Sequence, residues 1–248
     1  MIWHETVDPA VIVMLTQISE GGREKCFQYF PDSLEDNTIE IDDEGDSEDD
    51  FKATVKLEHM HENYQTRSIV RELSITVNET RKTVWHFLFA GWPDFSIPEG
   101  ADRVALIELI HLSEVLANSA PNNPRIVHCS AGVGRSGTFI ALDYLLSLMK
   151  EGLFDDEAEQ PETDIIFETV NTLREQRMTM VQSDAQLSFI YEVIKEKWLA
   201  KKHLGVSENP AVDQNGSLQA HEAVQDESFS KPTMLADRGP QNLSSGST

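Results

Sequence analysis

Apolar and polar positions divide the chain into a strand-rich first part and a largely helical second part. Segments dense in β-branched and aromatic residues predict five strands, at residues 10–16, 25–30, 52–61, 66–77 and 82–90. Apolar residues at helical spacing then predict a helix over residues 98–119, which begins with a proline suited to a first turn. A short buried strand follows at residues 124–129, and three more helices follow it, at residues 136–152, 163–177 and 183–198.

The last two predicted helices each carry one apolar face. The members of these faces are Ile166, Val170 and Leu173 in one helix, and Leu187, Ile190, Ile194 and Trp198 in the other. Ser183 or Asp184 is a candidate cap for the final helix, and Gly152 closes the helix before the pair. Strands, then a strand–loop–helix unit, then further helices predict a single α/β (α+β) domain, with a twisted mixed β-sheet flanked by helices.

Acidic residues are concentrated in particular segments of the chain. Residues 32–50 contain eleven Asp or Glu and no Lys or Arg, which predicts a solvated loop inserted between two strands. A second acidic stretch, residues 152–164, is predicted to be a loop between helices. From residue 203 to residue 248 the chain is polar and lacks periodicity, which predicts a disordered tail. We therefore place the folded domain at residues 1–202.

Charge and cysteine content limit the classes of function. The net charge of −23 argues against nucleic acid and anionic membranes as partners. The two cysteines, Cys26 and Cys129, lie far apart and form neither a disulfide framework nor a zinc site. The N-terminus has no basic region, and no apolar run approaches the roughly 18 residues that span a bilayer. These features predict a soluble protein of the cytoplasm or nucleus, and we expect it to be a monomer.

The stretch "IVHCSAGVGRSGT", residues 126–138, fits three kinds of phosphate-binding loop. An NTP-binding P-loop requires a lysine after Gly137, but Thr138 stands there. A dinucleotide fingerprint requires a second strand about 20 residues on that ends in an acid. That position falls at residues 155–156, inside an acidic stretch with no strand before it. The third kind of loop combines a phosphate cradle with a nucleophile.

In this third interpretation every residue of the loop has a role. Gly132 and Gly134 let the backbone curl so that its N–H groups converge at a helix N-terminus. Arg135 supplies a planar fork for two phosphate oxygens. Cys129 lies at the bottom of the cradle, where the same donors lower its pKa and favour the thiolate. The loop is therefore predicted to hold a phosphate group and attack it.

Two further segments supply groups that such a reaction needs. "GWPDFSIPEG", residues 91–100, predicts a loop with Asp94 at its tip as an acid for the leaving group, and with Trp92 as its anchor. "MVQSDAQ", residues 180–186, places Gln182 and Gln186 at a helix entrance, where their amides could orient water and phosphate. No metal or other cofactor is predicted, because a side chain is the nucleophile and Arg135 with backbone amides neutralises the phosphate.

The stretches "VHCSAGVGRSGT", "WPDF" and "MVQSDAQLSFIYEVI" resemble the phosphotyrosine-specific protein tyrosine phosphatases over residues 1–200. The resemblance implies a phosphatase II-like fold and hydrolysis of phosphotyrosine in proteins. It implies that Cys129 becomes a cysteinyl phosphate, Arg135 binds phosphoryl oxygens, and Asp94 acts as general acid and then base. It further implies that Ser136 assists departure of the sulfur, that His128 tunes the pKa of the sulfur, and that Gln182 and Gln186 place the water. Glu20 is expected to brace Arg135, and Lys25 to lie near the loop that carries Asp94. The phosphate cradle is expected to consist of Ser130, Ala131, Gly132, Val133 and Gly134.

The chain departs from the family pattern in two places. The family's N-terminal region has no counterpart before "MIWHETVDPAVIVMLT", so the catalytic domain is expected to be incomplete at that end. Thr179 follows Met178 where the family commonly has glycine, which narrows access beyond the main pocket. Two alternatives to an active enzyme follow, namely an impaired phosphotyrosine-binding decoy and a truncated gene product. A dual-specificity phosphatase is a further alternative, although that group generally lacks the tryptophan-bearing acid loop and the glutamine segment.

Overall fold

The structure, a computed structural model, describes residues 1–42, 51–118, 120, 122–154 and 164–207, with side chains as far as residue 203. Met1–Glu208 forms one compact unit, and the second unit, Asn209–Thr248, lies outside the described residues. The predicted disordered tail therefore falls almost entirely outside them, as do most of the acidic stretch at 152–164 and residues 43–50 of the acidic insertion.

A six-stranded mixed sheet forms the centre of the described unit, in the order β4-β5-β6-β7-β1-β8. Its strands are β1 (Ala10–Met14), β4 (Thr38–Asp42), β5 (Lys52–Asn63), β6 (Ser68–Val77), β7 (Thr80–Phe89) and β8 (Arg125–His128). Strands β4 to β7 pair antiparallel, whereas β1 pairs parallel with both β7 and β8. A two-stranded hairpin, β2 (Ser19–Glu20) with β3 (Arg23–Glu24), lies beside it.

Within the described residues five helices accompany the sheet, and the longer ones pack on one of its faces. Their bounds are α1 (Ile2–Glu5), α2 (Gly100–Ala117), α3 (Gly134–Lys150), α4 (Ile165–Gln176) and α5 (Asp184–Ser207). Val11, Val13 and Leu15 face the core formed with α2, α3 and α5, and Ile12 and Met14 face a second core on the other side of the sheet. Strand β1 is buried on both faces, as expected of a central parallel strand.

The predicted fold class is confirmed, but two local predictions are wrong. Residues 25–30 form no strand, because the N–H groups of Lys25 and Cys26 both donate to the carbonyl of Ile18, which turns the chain out of the ladder. Residues 38–42, predicted as solvated loop, form the outer strand β4. Their pairing with β5 satisfies the backbone while the acidic side chains stay exposed, so composition alone misjudged this segment.

Helix ends also differ slightly from the predictions. Helix α5 continues to Ser207, past the predicted domain boundary at residue 202. Helix α2 begins at Gly100, two residues after the proline that was expected inside its first turn. None of the described helices combines the length and apolar character needed to cross a bilayer.

Candidate active site

The glycine-rich loop lies between the carboxyl end of β8 and the first turn of α3. Gly132 has a φ of +69°, in the left-handed region where a side chain is disfavoured. This turn lets the backbone N–H groups of Gly132 and Ser136 point at the sulfur of Cys129. The N-terminus of α3 adds the positive end of its dipole at the same place. The loop is therefore a concave anion site with a cysteine at its base.

Cys129 is buried, yet its thiol is biased toward the thiolate. Burial by itself would raise the pKa of Cys129, but the side chain and backbone N–H of Ser136, the N–H of Gly132 and the charge of Arg135 together hold it below its ordinary value. The hydroxyl of Ser136 makes no hydrogen bond of ordinary geometry to any nitrogen or oxygen in the described part of the chain. It therefore has no competing acceptor there and remains available to donate to the sulfur of Cys129.

Arg135 occupies the first turn of α3, and its guanidinium is fixed by four acceptors. Nη1 donates to Glu20 Oε1 at 2.7 Å and to the carbonyl of Trp92 at 3.0 Å. Nη2 donates to Thr16 Oγ1 and to Asp94 Oδ1, both at 3.3 Å. The shorter bonds on Nη1 hold the fork in place, and the longer ones on Nη2 are easier to exchange for another acceptor.

Glu20 is in turn fixed by its own donors. Its Oε1 accepts from Thr16 Oγ1 at 3.0 Å and from the N–H of Gln17 at 3.2 Å. Burial raises the pKa of Glu20, but the bond and charge of Arg135 with the donors of Gln17 and Thr16 outweigh burial and lower it. Sequence reasoning missed Thr16, because a buried threonine after a central strand has no distinguishing pattern.

Asp94 lies in the segment that we call the acid loop, residues 91–97. The loop is anchored by Trp92, which is 1% exposed and donates from Nε1 to the carbonyl of Ser96 at 2.9 Å. Phe95 has a φ of +58°, an uncommon conformation for a non-glycine residue. This turn lets the N–H of Phe95 bond to the carboxyl of Asp94, which faces Arg135.

Lys25 is the second cation on Asp94, with Nζ 2.6 Å from Oδ2. Burial alone would raise the pKa of Asp94, but the Lys25 bond and the charges of Arg135 and Lys25 lower it overall. In this arrangement Asp94 is a carboxylate held between two cations.

Gln182 and Gln186 lie on the opposite side of the cradle, against Gly134. A Cβ at Gly134 would lie 3.2 Å from the amides of both glutamines. Gln186 also completes a capping box at the start of α5: its Oε1 accepts from the N–H groups of Gln182 and Ser183 at 3.0 and 3.4 Å, and Ser183 Oγ accepts from the N–H of Gln186 at 3.2 Å. Of the two caps predicted as alternatives, Ser183 is the one observed.

His128 contacts the backbone of the nucleophile rather than its thiol. Its Nδ1 lies 3.2 Å from the carbonyl oxygen of Cys129, and its Nε2 lies 2.6 Å from the hydroxyl of Tyr29. The same hydroxyl lies 3.0 Å from Nε2 of His86. Burial lowers the pKa of His128, and burial with the charge of Arg71 and His128 lowers that of His86 to about 3. A chain of polar side chains, linked through the hydroxyl of Tyr29, therefore lies behind the loop and contacts its backbone, and sequence reasoning missed both Tyr29 and His86.

The remaining predicted residues lie at the mouth of the cradle or directly beneath it. Ser130 and Ala131 are exposed at its rim, and Val133 is buried beneath it. Arg177, which was not predicted, donates from Nη2 to the carbonyl of Ala131 at 3.0 Å and lies over Gly132. The structure thus brings all the predicted site residues into one region, while the described residues contain no group of three His, Cys, Asp or Glu placed to hold a metal ion.

Comparison with known proteins relates the chain to a protein family. The family model described as protein-tyrosine phosphatase matches residues 1–196. Tyrosine-protein phosphatase 1 of Saccharomyces cerevisiae is 38% identical over 218 residues, covering 79% of this chain and 63% of the relative. The human receptor-type tyrosine-protein phosphatase alpha is 37% identical over 199 residues, covering 79% of this chain and 21% of the relative.

A solved structure shows the same relationship. The crystal structure of a protein tyrosine phosphatase from Trypanosoma brucei aligns with a TM-score of 0.64 and 28% identity, covering 79% of this chain and 62% of that one. The chain therefore spans less than two thirds of the length of these relatives. On the match of the family model and the identity to its relatives, the chain belongs to the protein-tyrosine phosphatase family.

Proposed function

We propose that the protein hydrolyses phosphotyrosine in proteins through a cysteinyl-phosphate intermediate. The observation that carries the proposal is the convergence on one cradle of a Cys129 thiol with a lowered pKa, the Arg135 fork and the Asp94 carboxyl. The Cys129 thiolate attacks phosphorus, the bond from phosphorus to the phenolic oxygen breaks, and Asp94 donates a proton to that oxygen. Water then attacks phosphorus, gives its proton to Asp94, and displaces the thiolate as inorganic phosphate forms.

The charges around Asp94 indicate how it acquires its proton. Arg135 Nη2 donates a hydrogen bond to Asp94 Oδ1 at 3.3 Å, and a bound phosphoryl group would accept that bond in place of Asp94. The phosphoryl group also brings negative charge close to the carboxylate. Both changes raise the pKa of Asp94, because they remove a cationic partner and add a like charge. Binding of the substrate therefore favours the protonated form of Asp94, which the leaving group needs.

The other site residues act on the second half of the reaction. Ser136 is proposed to donate its uncommitted hydroxyl to the departing sulfur, which stabilises the thiolate. Gln182, whose side chain is exposed at the cradle, is proposed to orient the attacking water together with Gln186. His128 is proposed to fix the Cys129 carbonyl and so the orientation of the loop.

Replacing Asp94 tests the proposed acid. Asp94→Asn is expected to lower kcat/KM for a phosphotyrosine peptide by about 10²- to 10⁴-fold, because the phenol of tyrosine, with a pKa of about 10, leaves poorly without a proton. The loss is expected to be much smaller for an aryl phosphate of a more acidic phenol. The matched control is Asp42→Asn, which removes an exposed carboxylate on β4. Equal losses on both substrates would contradict the acid role of Asp94.

Direct capture of the intermediate tests the nucleophile independently. Rapid quenching of a single turnover, followed by mass spectrometry of the digested protein, is expected to find one phosphoryl group on the peptide that contains Cys129. A phosphoryl group on another residue, or turnover that never passes through a phosphoprotein, would overturn the proposed route.

The pH dependence tests the partnership of Lys25 with Asp94. Turnover is expected to be bell-shaped in pH, since Cys129 must be ionised while Asp94 carries a proton. Lys25→Met removes a bond and a charge that lower the pKa of Asp94, so the limb that reports Asp94 is expected to move to higher pH. That limb is identified by its absence from the profile of Asp94→Asn. A limb that stays in place or moves to lower pH would rule out Lys25 as the cause of the lowered pKa.

The same assay separates the proposed function from its alternatives. A folded chain that binds phosphotyrosine peptide without turnover would be a phosphotyrosine-binding decoy. Comparable turnover of phosphotyrosine and phosphothreonine peptides would place it with the dual-specificity phosphatases. Phosphotyrosine-containing proteins are the proposed partners, and the cytoplasm or nucleus is the proposed location, with residues 1–202 as the catalytic domain.

A further inference from the structure

The acid loop begins at Gly91, and the carboxylate of Asp102 occupies the position that a side chain at residue 91 would take. A Cβ at position 91 would lie 2.5 Å from Asp102 Oδ1 and 2.6 Å from its Cγ, closer than van der Waals contact permits. Gly91 does not have a left-handed backbone conformation. Glycine at this position therefore serves close packing against Asp102 rather than conformational freedom.

The same oxygen of Asp102 accepts a charge-assisted hydrogen bond from a distant part of the chain. Arg67 donates from Nε to Asp102 Oδ1 at 2.5 Å. Arg67 lies at the tip of the β5–β6 hairpin with a φ of +46°, next to a turn in which Asn63 Oδ1 accepts from the N–H groups of Gln65 and Thr66 at 3.0 Å. The carboxylate of Asp102 thus joins the hairpin, the first turn of α2 and the start of the acid loop.

A shift at Gly91 would be transmitted directly to the reacting groups. Trp92 follows at once, and its carbonyl accepts from Arg135 Nη1 at 3.0 Å. Asp94 lies three residues after Gly91 and contacts both Lys25 and Arg135. Because proton transfer requires hydrogen-bond distance, a small displacement at the first residue of this short loop separates Asp94 from the leaving group.

We infer that Arg67 and Asp102 are positioning residues, which hold the acid loop from its first residue and so set the distance over which Asp94 delivers its proton. The inference rests on the proposed function, in which Asp94 is the acid. Neither residue touches the reacting atoms, and the pair is 35 residues apart in sequence. Its loss impairs protonation of the leaving group more than attack by Cys129, because Glu20 and Thr16 still hold Arg135 from outside the acid loop.

Leaving-group dependence distinguishes this role from general loss of structure. The value of kcat/KM reports phosphorylation of Cys129, the step in which the phenol departs. Asp102→Asn and Arg67→Gln are expected to lower kcat/KM about tenfold for a phosphotyrosine peptide, and less than about twofold for a phosphate ester of a more acidic phenol. Equal losses on the two substrates, or no loss on the peptide, would overturn the inference.

The matched control is the ion pair between Lys150 and Glu114. Its side chains have exposures of 54% and 23%, against 52% and 29% for Arg67 and Asp102, but it joins helices α2 and α3 away from the acid loop. Lys150→Gln and Glu114→Gln are expected to change neither substrate's kcat/KM by more than about twofold. A leaving-group dependence of the same size in these controls would count against a specific role for Arg67 and Asp102.

The close packing of Asp102 against Gly91 allows a rescue experiment. Gly91→Ala is expected to displace the Asp102 side chain and to reduce peptide turnover by at least as much as Asp102→Asn. Adding Asp102→Ala makes room for the new methyl group, so the double variant Gly91→Ala/Asp102→Ala is expected to be more active than Gly91→Ala alone. If the two changes combined without any such recovery, contact between these residues would not govern the loop.

Amide hydrogen exchange tests the positioning without relying on turnover. Exchange at residues 92–97 is expected to be faster in Asp102→Asn and Arg67→Gln than in the unmodified protein, and unchanged in Lys150→Gln. Inactivity of the unmodified protein toward every phosphate ester would refute the proposed function, while exchange would still decide whether the pair holds the loop. Unchanged exchange in all variants would overturn the positioning role.

Discussion

Replacing the cysteine of the cradle is expected to abolish turnover while preserving binding. Cys129→Ser should reduce kcat for a phosphotyrosine peptide by about 10⁵-fold or more, because a serine hydroxyl ionises far less readily than the Cys129 thiol, whose pKa the cradle lowers. The donors of Gly132, Ser136 and Arg135 remain in place, so phosphopeptide should still bind. Steady-state kinetics measures the first effect, and calorimetric titration with phosphopeptide measures the second.

The other cysteine supplies the matched control. Cys26 is partly exposed, and burial together with the charge of Glu24 raises its pKa, so it has none of the features of a nucleophile. Cys26→Ser is expected to retain at least about half of the activity, as substitutions away from a special site usually do. Activity retained in Cys129→Ser, or lost only in Cys26→Ser, would mean that the nucleophile lies elsewhere.

The second large effect is expected at Arg135. Arg135→Lys keeps the charge beside Glu20 but loses the planar fork, so kcat/KM should fall by about 10³-fold and inorganic phosphate should inhibit more weakly. Steady-state kinetics and phosphate inhibition measure these changes, and thermal unfolding checks that the variant is folded. Arg125→Lys, which alters a partly buried arginine paired with Asp143, is the control and should stay within about threefold. An Arg135→Lys variant with normal turnover would contradict direct binding of phosphate by Arg135.

Local patterns predicted the cradle and much of the sheet because each depends on neighbours in sequence. Cys129 and Gly132 lie in one loop and Arg135 lies in the helical turn that follows it, so spacing alone relates them. Enrichment in β-branched and aromatic residues identified β5 and β6, and helical spacing identified the buried faces of α4 and α5. The strand at 25–30 was wrongly predicted because Tyr29 and Phe30, which raise strand propensity there, instead form an edge-to-face pair in a loop, with Phe30 buried and Tyr29 partly buried.

Contacts between distant segments account for what the sequence could not predict. The histidines His86 and His128 lie on separate strands, and both contact the hydroxyl of Tyr29. Arg67 and Asp102 belong to a hairpin and a helix whose packing decides that they touch. Strand β4 forms because its backbone pairs with β5, an interaction that outweighs the repulsion among its exposed acids. In each case the two partners lie too far apart in sequence for a local pattern to include both.

The capping box of α5 limits how this protein could be engineered. Gln186 is 1% exposed, closes the first turn of a 24-residue helix and lies against Gly134 in the cradle. A substitution that alters its proposed role in orienting the attacking water also removes a helix cap, at a cost of about 1 kcal/mol in the free energy of unfolding. Changes in activity and in thermal stability are therefore coupled at this position. A directed-evolution campaign that selects for either property should find Gln186 retained, and should find its gains at residues that serve one purpose.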